Sequence, residues 1–410
     1  MIRLRLALAA LLCLALSACS GLPFLGGSDA GPDTFKGPVK VGLVDVLSGT
    51  TPAATQGTYL QNSVQQQIDA LNAQGGVLGV KVQLVTADDQ LSPDKTPAAV
   101  SQLLADRSVR LLIGPSFAGL YLGAKPLVDH AQVPNCLTNM AADDLMENAR
   151  FSFRMQAQDR AAVPTLLGYV QHATQIKKIA LITEDDGVGD GYDQQLSDQA
   201  GKFGLQYMGA AFVAPTGDQK AQVQQLLKQG ADAVVLSSNP ATATRTLQAI
   251  TTLKATAKLK ALGFSGLSGY SFPQAAGDAA NGLTFISTIQ TYMSDVPEAR
   301  WPAAYHDFVK KAQTRFGAAP NGVEVKANPA GAECVADWAR AVQAANSFDG
   351  SRVATAWSRL DVTPADSLLG VREHFTPDLH DAVPVDGLSV YQWAKLGDHW
   401  GVKQLVGPTG

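Results

Sequence analysis

Basic clusters are missing from this sequence. Its 32 Lys and Arg stand against 36 Asp and Glu, for a formal charge of −4. Lys177-Lys178 and Lys310-Lys311 are the only adjacent basic pairs, which excludes the stripe of positive charge that nucleic-acid binding needs. Metal spacings are missing too. The His residues, at 130, 172, 306, 374, 380 and 399, form no H-x-x-x-H, and the Cys residues form no C-x-x-C. The G-x-S-x-G elbow of a serine hydrolase is absent, since GFSG at 263–266 and GLSG at 266–269 both lack the spacing. GVGDG at 187–191 fails as a dinucleotide fingerprint because Tyr192 stands where the third glycine belongs. Asp88 and Asp89 fall at a strand end with side chains on opposite faces, so they make no acid–base pair. The expectation is a protein without catalysis, cofactor or metal. Past residue 18, no apolar run reaches the ~20 residues that span a bilayer.

What is present begins at the N-terminus. Arg3 and Arg5 precede an apolar stretch at 6–16, too short to span a membrane and suited to an export signal. It ends in Leu16-Ser17-Ala18-Cys19, which resembles a bacterial lipobox, where Cys19 would receive lipid and residues 1–18 would be removed. Loss of Arg3 and Arg5 takes the formal charge from −4 to −6. Residues 19–37 are rich in Gly, Pro, Ser and Asp and read as a flexible tether. Of the four Cys, Cys13 leaves with the signal and Cys19 carries lipid. Cys136 and Cys334 remain, in an oxidising compartment where they either pair or stay as buried thiols.

From residue 39 onward, short β-rich runs alternate with amphipathic helical stretches, the pattern of parallel sheets with crossovers. The first series has strands at 39–46, 80–86, 109–114 and 133–137. A second series has strands at 179–183, 205–213, 233–237, 260–264 and 283–288, with helices between them. Helical patterns follow at 301–316, 331–345 and 352–360. Short strands and turns then include 375–377, 388–392 and 397–402. The fold class expected is α/β, with two doubly wound parallel-sheet lobes joined by a hinge of several crossings. Lobe one would comprise 38–156 plus 289–365, and lobe two 157–288 plus 366–404. Ligands bind beyond the carboxyl ends of strands in such sheets, so the cleft between lobes is the expected site.

KVGLVDVLSG at 40–49, IDALNAQGGVLGVK at 68–81, VTADD at 85–89 and LIGP at 112–115 occur in that order. Phe153-Arg154, then 178–183 with Gly189-Asp190-Gly191, continue the series. Together they resemble the type I periplasmic binding proteins of the branched-chain amino-acid group. The resemblance implies a monomeric receptor that closes on a small molecule and passes it to the membrane permease of an ABC importer, or reports it to a signalling partner. It also assigns the ligand-binding positions. Ala118 falls where relatives offer a hydroxyl to the ligand carboxylate, with Ser116 and Phe117 beside it, and Asn139, Met140 and Ala141 occupy the next loop. Val188 replaces an aromatic, and Ser265 replaces the Glu that pairs with a ligand ammonium. Ser238 or Asn239 stands for a pocket Tyr, as does Gln56, with Ser48 beside it. A buried ammonium without a carboxylate costs several kcal/mol, so the expected ligand is not an ordinary α-amino acid. Asp45, at the end of the first strand, either supplies the missing charge or caps a neighbouring backbone group; the second is favoured.

Overall fold

The computed structural model describes residues 37–407, apart from 142–143, 185–186, 215–216, 289–291, 293–294, 296 and 319–325. The export signal, Cys19 and most of the tether lie outside the described residues. No helix among the described residues is long and apolar enough to cross a membrane.

The first sheet holds β1 (Val39–Asp45), β2 (Val82–Asp88), β3 (Val109–Ile113), β4 (Asn135–Leu137) and β5 (Ser152–Arg154), all parallel, in the order β2-β1-β3-β4-β5. Between them run α1 (Pro52–Ala73), α2 (Thr96–Ala105) and α3 (Ala118–Ala131). Val39, Val41 and Leu43 of β1 are fully buried, as the near-continuous apolar run requires of a strand covered on both faces. β2 begins two residues later than its β-rich run. Val77 and Val80 pair across a turn first, and that turn uses the strand's expected start. Asp88 therefore ends the strand, directly opposite Asp45 in register.

The second sheet repeats the plan with β6 (Lys178–Glu184), β7 (Gln206–Val213), β8 (Ala233–Ser237), β9 (Lys260–Gly263) and β10 (Thr284–Thr288), ordered β7-β6-β8-β9-β10. Its helices are α4 (Asp159–Ala173), α5 (Gly187–Gln199), α6 (Lys220–Gln229), α7 (Pro240–Thr252) and α8 (Ser271–Ala276). α5 starts earlier than its apolar pattern because Gly187 to Gly189 form its first turn. A Cβ on Gly189 would come within 2.5 Å of both Thr183 Oγ1 and the Glu184 carbonyl oxygen, so only glycine lets this helix approach β6 so closely.

Helices α9 (Ala303–Phe316), α10 (Pro329–Ala345) and α11 (Gly350–Trp357) pack on the first sheet's side. Gln66 of α1 donates to the Phe308 carbonyl at 3.1 Å, and Trp338 of α10 joins Leu60 and Val64 in one core. Cys136 of β4 and Cys334 of α10 are joined by a disulfide. The pair β11 (Asp361–Val362) and β12 (Glu373–His374) follows, ahead of the short strands and turns expected from 375. The return to the second sheet was also expected earlier, at 366. Residues 367–375 instead stay with the first: Ser367 donates to Glu373, and Phe375 packs edge-on to Phe153 and Trp357. The chain then adds β13 (Leu388–Leu396) and β14 (His399–Val406) as an antiparallel hairpin on β10. Gly397, at φ +68°, supplies its left-handed turn.

Three passages join the sheets, and two of them share one geometry. β5 ends at Arg154 and leads to the start of α4; β10 ends at Thr288 and leads toward α9; β13 enters with Leu388 opposite Thr288. The first and third therefore leave or enter at a carboxyl end of a sheet, and those ends face a common waist; on the second, Tyr292 still packs against Phe285 and Trp393, and Asp295 accepts from the Val402 N–H at 3.0 Å, before the chain reaches α9. At that waist, Arg154 and Asp381 form an ion pair of 2.6 Å with 1% and 2% exposure. The Arg154 N–H donates to the His380 carbonyl at 2.8 Å, and the Ala382 N–H donates to the Arg154 carbonyl at 2.7 Å. The Phe153 ring is stacked between Trp357 and His380, with centroids at 4.4 and 4.5 Å.

Candidate functional site

Every predicted ligand residue lies on a loop or helix start at a carboxyl strand end. Asp45 closes β1, with Ser48 after it and Gln56 in the first turns of α1; Ser116, Phe117 and Ala118 follow β3; Asn139, Met140 and Ala141 follow β4. In the second lobe, Ser238 and Asn239 follow β8 and Ser265 follows β9. Val188 lies in the first turn of α5, and its side chain is outside the described residues.

Within this set the side chains differ sharply. Ser116 is buried, and its Oγ donates to Asp45 Oδ2 at 2.6 Å. Asp45 Oδ1 accepts from the Val46 N–H at 2.7 Å, which is the capping role favoured from the sequence. Burial pushes the Asp45 carboxyl up to about 6, against the lowering pull of the Ser116 and Val46 hydrogen bonds. Asp89 is also raised by burial. Asp88 is held low despite some burial, because Ser48 and the Leu47 and Gln90 N–H groups donate to it and Lys95 lies near. Met140 is buried with Tyr121, Leu137 and Leu145, and Ala118 packs on the same cluster, so both serve packing. Phe117 and Ala141 are half-buried; Ser48, Gln56 and Asn139 are exposed.

In the second lobe, Asn239 is the N-cap of α7, its Oδ1 accepting from the Ala241 and Thr242 N–H groups at 2.9 and 3.0 Å. Its Nδ2 donates to Glu184, as does the Thr242 hydroxyl. Arg245 reaches the Thr242 Oγ1 at 3.0 Å. Ser238 Oγ is buried with no hydrogen-bond partner among the described residues, and Ser265 is exposed at the start of a short 3-10 turn. Sequence reasoning missed Glu184 and Thr242. The strand-end rule was the signal that could have found Glu184, the last residue of β6.

Two cavities lie off this face. One of about 670 Å³ flanks the waist, lined in part by Arg150, Arg154, Gln158, Arg359 and His380. Another of about 460 Å³ lies at the amino ends of β8, β9 and β10, beside Asp232 and Lys260. Neither includes a predicted ligand residue. The strand-end face, where backbone ends and loops from both sheets converge, is the candidate site.

Comparison with known proteins agrees with this architecture. A family model described as "Periplasmic binding protein" matches residues 38–398. A Leu/Ile/Val-binding protein, BraC3, of Rhizobium johnstonii is 26% identical over 154 residues, 37% of this chain and 41% of that protein. The chain spans about half the length of the curated relatives it first matches. An ABC transporter substrate-binding protein from Desulfitobacterium hafniense superposes with a TM-score of 0.73 at 17% identity, covering 90% of this chain and 100% of that one. A solute-binding protein of an ABC transporter from R. palustris, solved with 4-hydroxybenzoate, gives 0.71 at 18% identity, covering 90% and 96%. With residues 38–398 matched and two like lobes meeting at their strand ends, the chain belongs to the periplasmic binding protein family.

Proposed function

We propose that this chain is an extracytoplasmic solute-binding lipoprotein, held to the membrane by lipid on Cys19, that closes on a small molecule between its lobes and delivers it to the permease of an ABC importer. It performs no chemistry on the solute. The observation that carries the reading is the common waist: the passage from β5 to α4 and the entry of β13 both lie at carboxyl strand ends, so a change of hinge angle opens or shuts one shared face. Closure is then a population shift stabilised by the solute's contacts to both lobes. A solute other than an ordinary α-amino acid is supported by Ser116, whose hydroxyl is committed to Asp45 rather than open to a ligand carboxylate.

Native mass spectrometry of solute carried through purification, followed by X-ray scattering with and without it, tests the reading. A smaller radius of gyration and a higher Tm with that solute are expected. An unchanged radius across a broad metabolite library would refute it. Metabolic labelling with palmitate tests the anchor: Cys19→Ala is expected to abolish incorporation.

A further inference from the structure

We infer that the lobe-one half of this cleft takes a protonated nitrogen, an ammonium or guanidinium, and rejects a carboxylate. The inference rests on the solute-binding reading above and specifies the chemistry of its ligand.

The Ser116–Asp45 contact carries the argument. A hydroxyl has one proton to give, and Ser116 gives it to Asp45 Oδ2 at 2.6 Å. What Ser116 leaves facing a ligand is lone pairs, which call for a donor. An ionised carboxyl offers about four acceptor positions. Among the described residues, Asp45 is shown accepting from the Val46 N–H and the Ser116 hydroxyl, so acceptor capacity remains. A ligand carboxylate brought to the same loop would meet a like charge with no free hydroxyl to hold it.

The surrounding charges point the same way. On the lobe-one face, Asp45 in β1 stands opposite Asp88 at the end of β2, and buried Asp89 follows. Lys95 stands against these, its Nζ donating to Gln90. Across the waist, the second lobe offers Glu184, with Asn239, Thr242 and Arg245 around it. The N-terminus of α3 opposes the trend, since Phe117 provides no side-chain cap. A helix end is worth about half a positive charge, which does not offset the full charge of Asp45 with Asp88 opposite it.

The pH dependence has opposite sign for the two ligand classes. Burial lifts Asp45 to about 6, so acidification through that value removes its charge. A cationic ligand then binds less tightly, whereas a carboxylate ligand binds more tightly. Asp88, held low by its hydrogen bonds, keeps its charge through this change.

The test uses amine and carboxylate probes on matched skeletons: isopentylamine against 4-methylvalerate, and 4-hydroxybenzylamine against 4-hydroxybenzoate, with agmatine added. Calorimetry and melting on the full folded protein read the result at about pH 7.5 and about pH 5. The amines are expected to bind and the carboxylates not, with amine affinity falling on acidification. Asp45→Asn should weaken the amines about tenfold or more, as loss of a charged hydrogen-bond partner does. Ser116→Ala, which leaves the carboxylate in place, should weaken the amines less than Asp45→Asn does, because it removes one acceptor and keeps the counter-charge. If Asp45→Asn does not fold, Ser116→Ala and the pH series still decide. Carboxylates that bind as tightly as their amines at the higher pH, or lose affinity in Ser116→Ala, overturn the inference. Failure of every amine overturns it too. Compaction with the natural co-purified solute would in that case leave the solute-binding reading intact.

Discussion

In the first lobe, α10 lies across the sheet and brings a covalent cross-link and charge into the interior. In the second, the same five-strand order is lengthened by the β13–β14 hairpin, and the interior is aromatic. On α10, Glu333 and Asp337 are fully buried and share Arg340, which reaches Asp337 Oδ1 at 2.7 Å and the Asp366 carbonyl at 2.8 Å. Glu333 also accepts from the Leu368 N–H, and Glu373 of β12, likewise fully buried, accepts from Ser367. Three carboxyls thus face one guanidinium, and burial raises all three above their ordinary values, with mutual repulsion adding to Glu333 and Glu373. The second lobe instead packs Tyr270, Phe285, Tyr292, Tyr391 and Trp393 against one another, with ring centroids 4.7–6.1 Å apart. One scaffold has been completed by two chemistries, so its halves should fail under different insults.

The largest expected effect is in the aromatic half. Trp393 is fully buried and its Nε1 donates to the Leu267 carbonyl at 2.9 Å. Trp393→Ala should destabilise by about 3–5 kcal/mol, and hydrogen exchange should rise in β9, β10 and β13 while α10 keeps its protection. Removing the Cys136–Cys334 link mirrors this experiment. The double Ser variant should lose about 2–5 kcal/mol, with faster exchange in β4 and α10 and little in β13. Equal acceleration in both lobes for either variant would erase the contrast. A smaller change follows at the cleft: Asn239→Ala removes the α7 cap and should cost about 1 kcal/mol by urea unfolding. The smallest effect at neutral pH belongs to the carboxyl cluster. Raised folded values mean that its stabilising contribution is complete below the ordinary glutamate value of 4.5 and is lost as pH rises through the raised values. Glu373→Gln, which resembles the protonated form, should flatten that decline in Tm above about pH 5. An unchanged slope would show that the cluster does not hold the proton.

Strands and helices were legible where burial forces a pattern: β1, β3 and β8 are nearly continuous apolar runs, and α10 shows its apolar face. Their boundaries drifted where a local contact overrode the pattern, as the Val77–Val80 bridge did for β2 and the close approach at Gly189 did for α5. The candidate face was legible as a set of loops, because strand order alone places it. Individual side-chain duties were not. Whether Ser116 faces a ligand or Asp45, and whether Met140 packs or binds, depends on contacts between residues 71 positions apart or across a small apolar cluster. Periodicity carries no record of such contacts. Glu373 is a further case: polar in sequence, it is held inward by the Ser367 hydroxyl.

The seam between Arg154 and the segment 380–382 has a mechanical corollary. Two backbone runs zipped edge to edge, with a desolvated ion pair and a three-ring stack behind them, act as a flat strap rather than two strings. A strap flexes across its thin dimension and resists shear within its plane. The halves should therefore swing like covers on a spine, with little swivel, and each closure should return the same loops to the same partners.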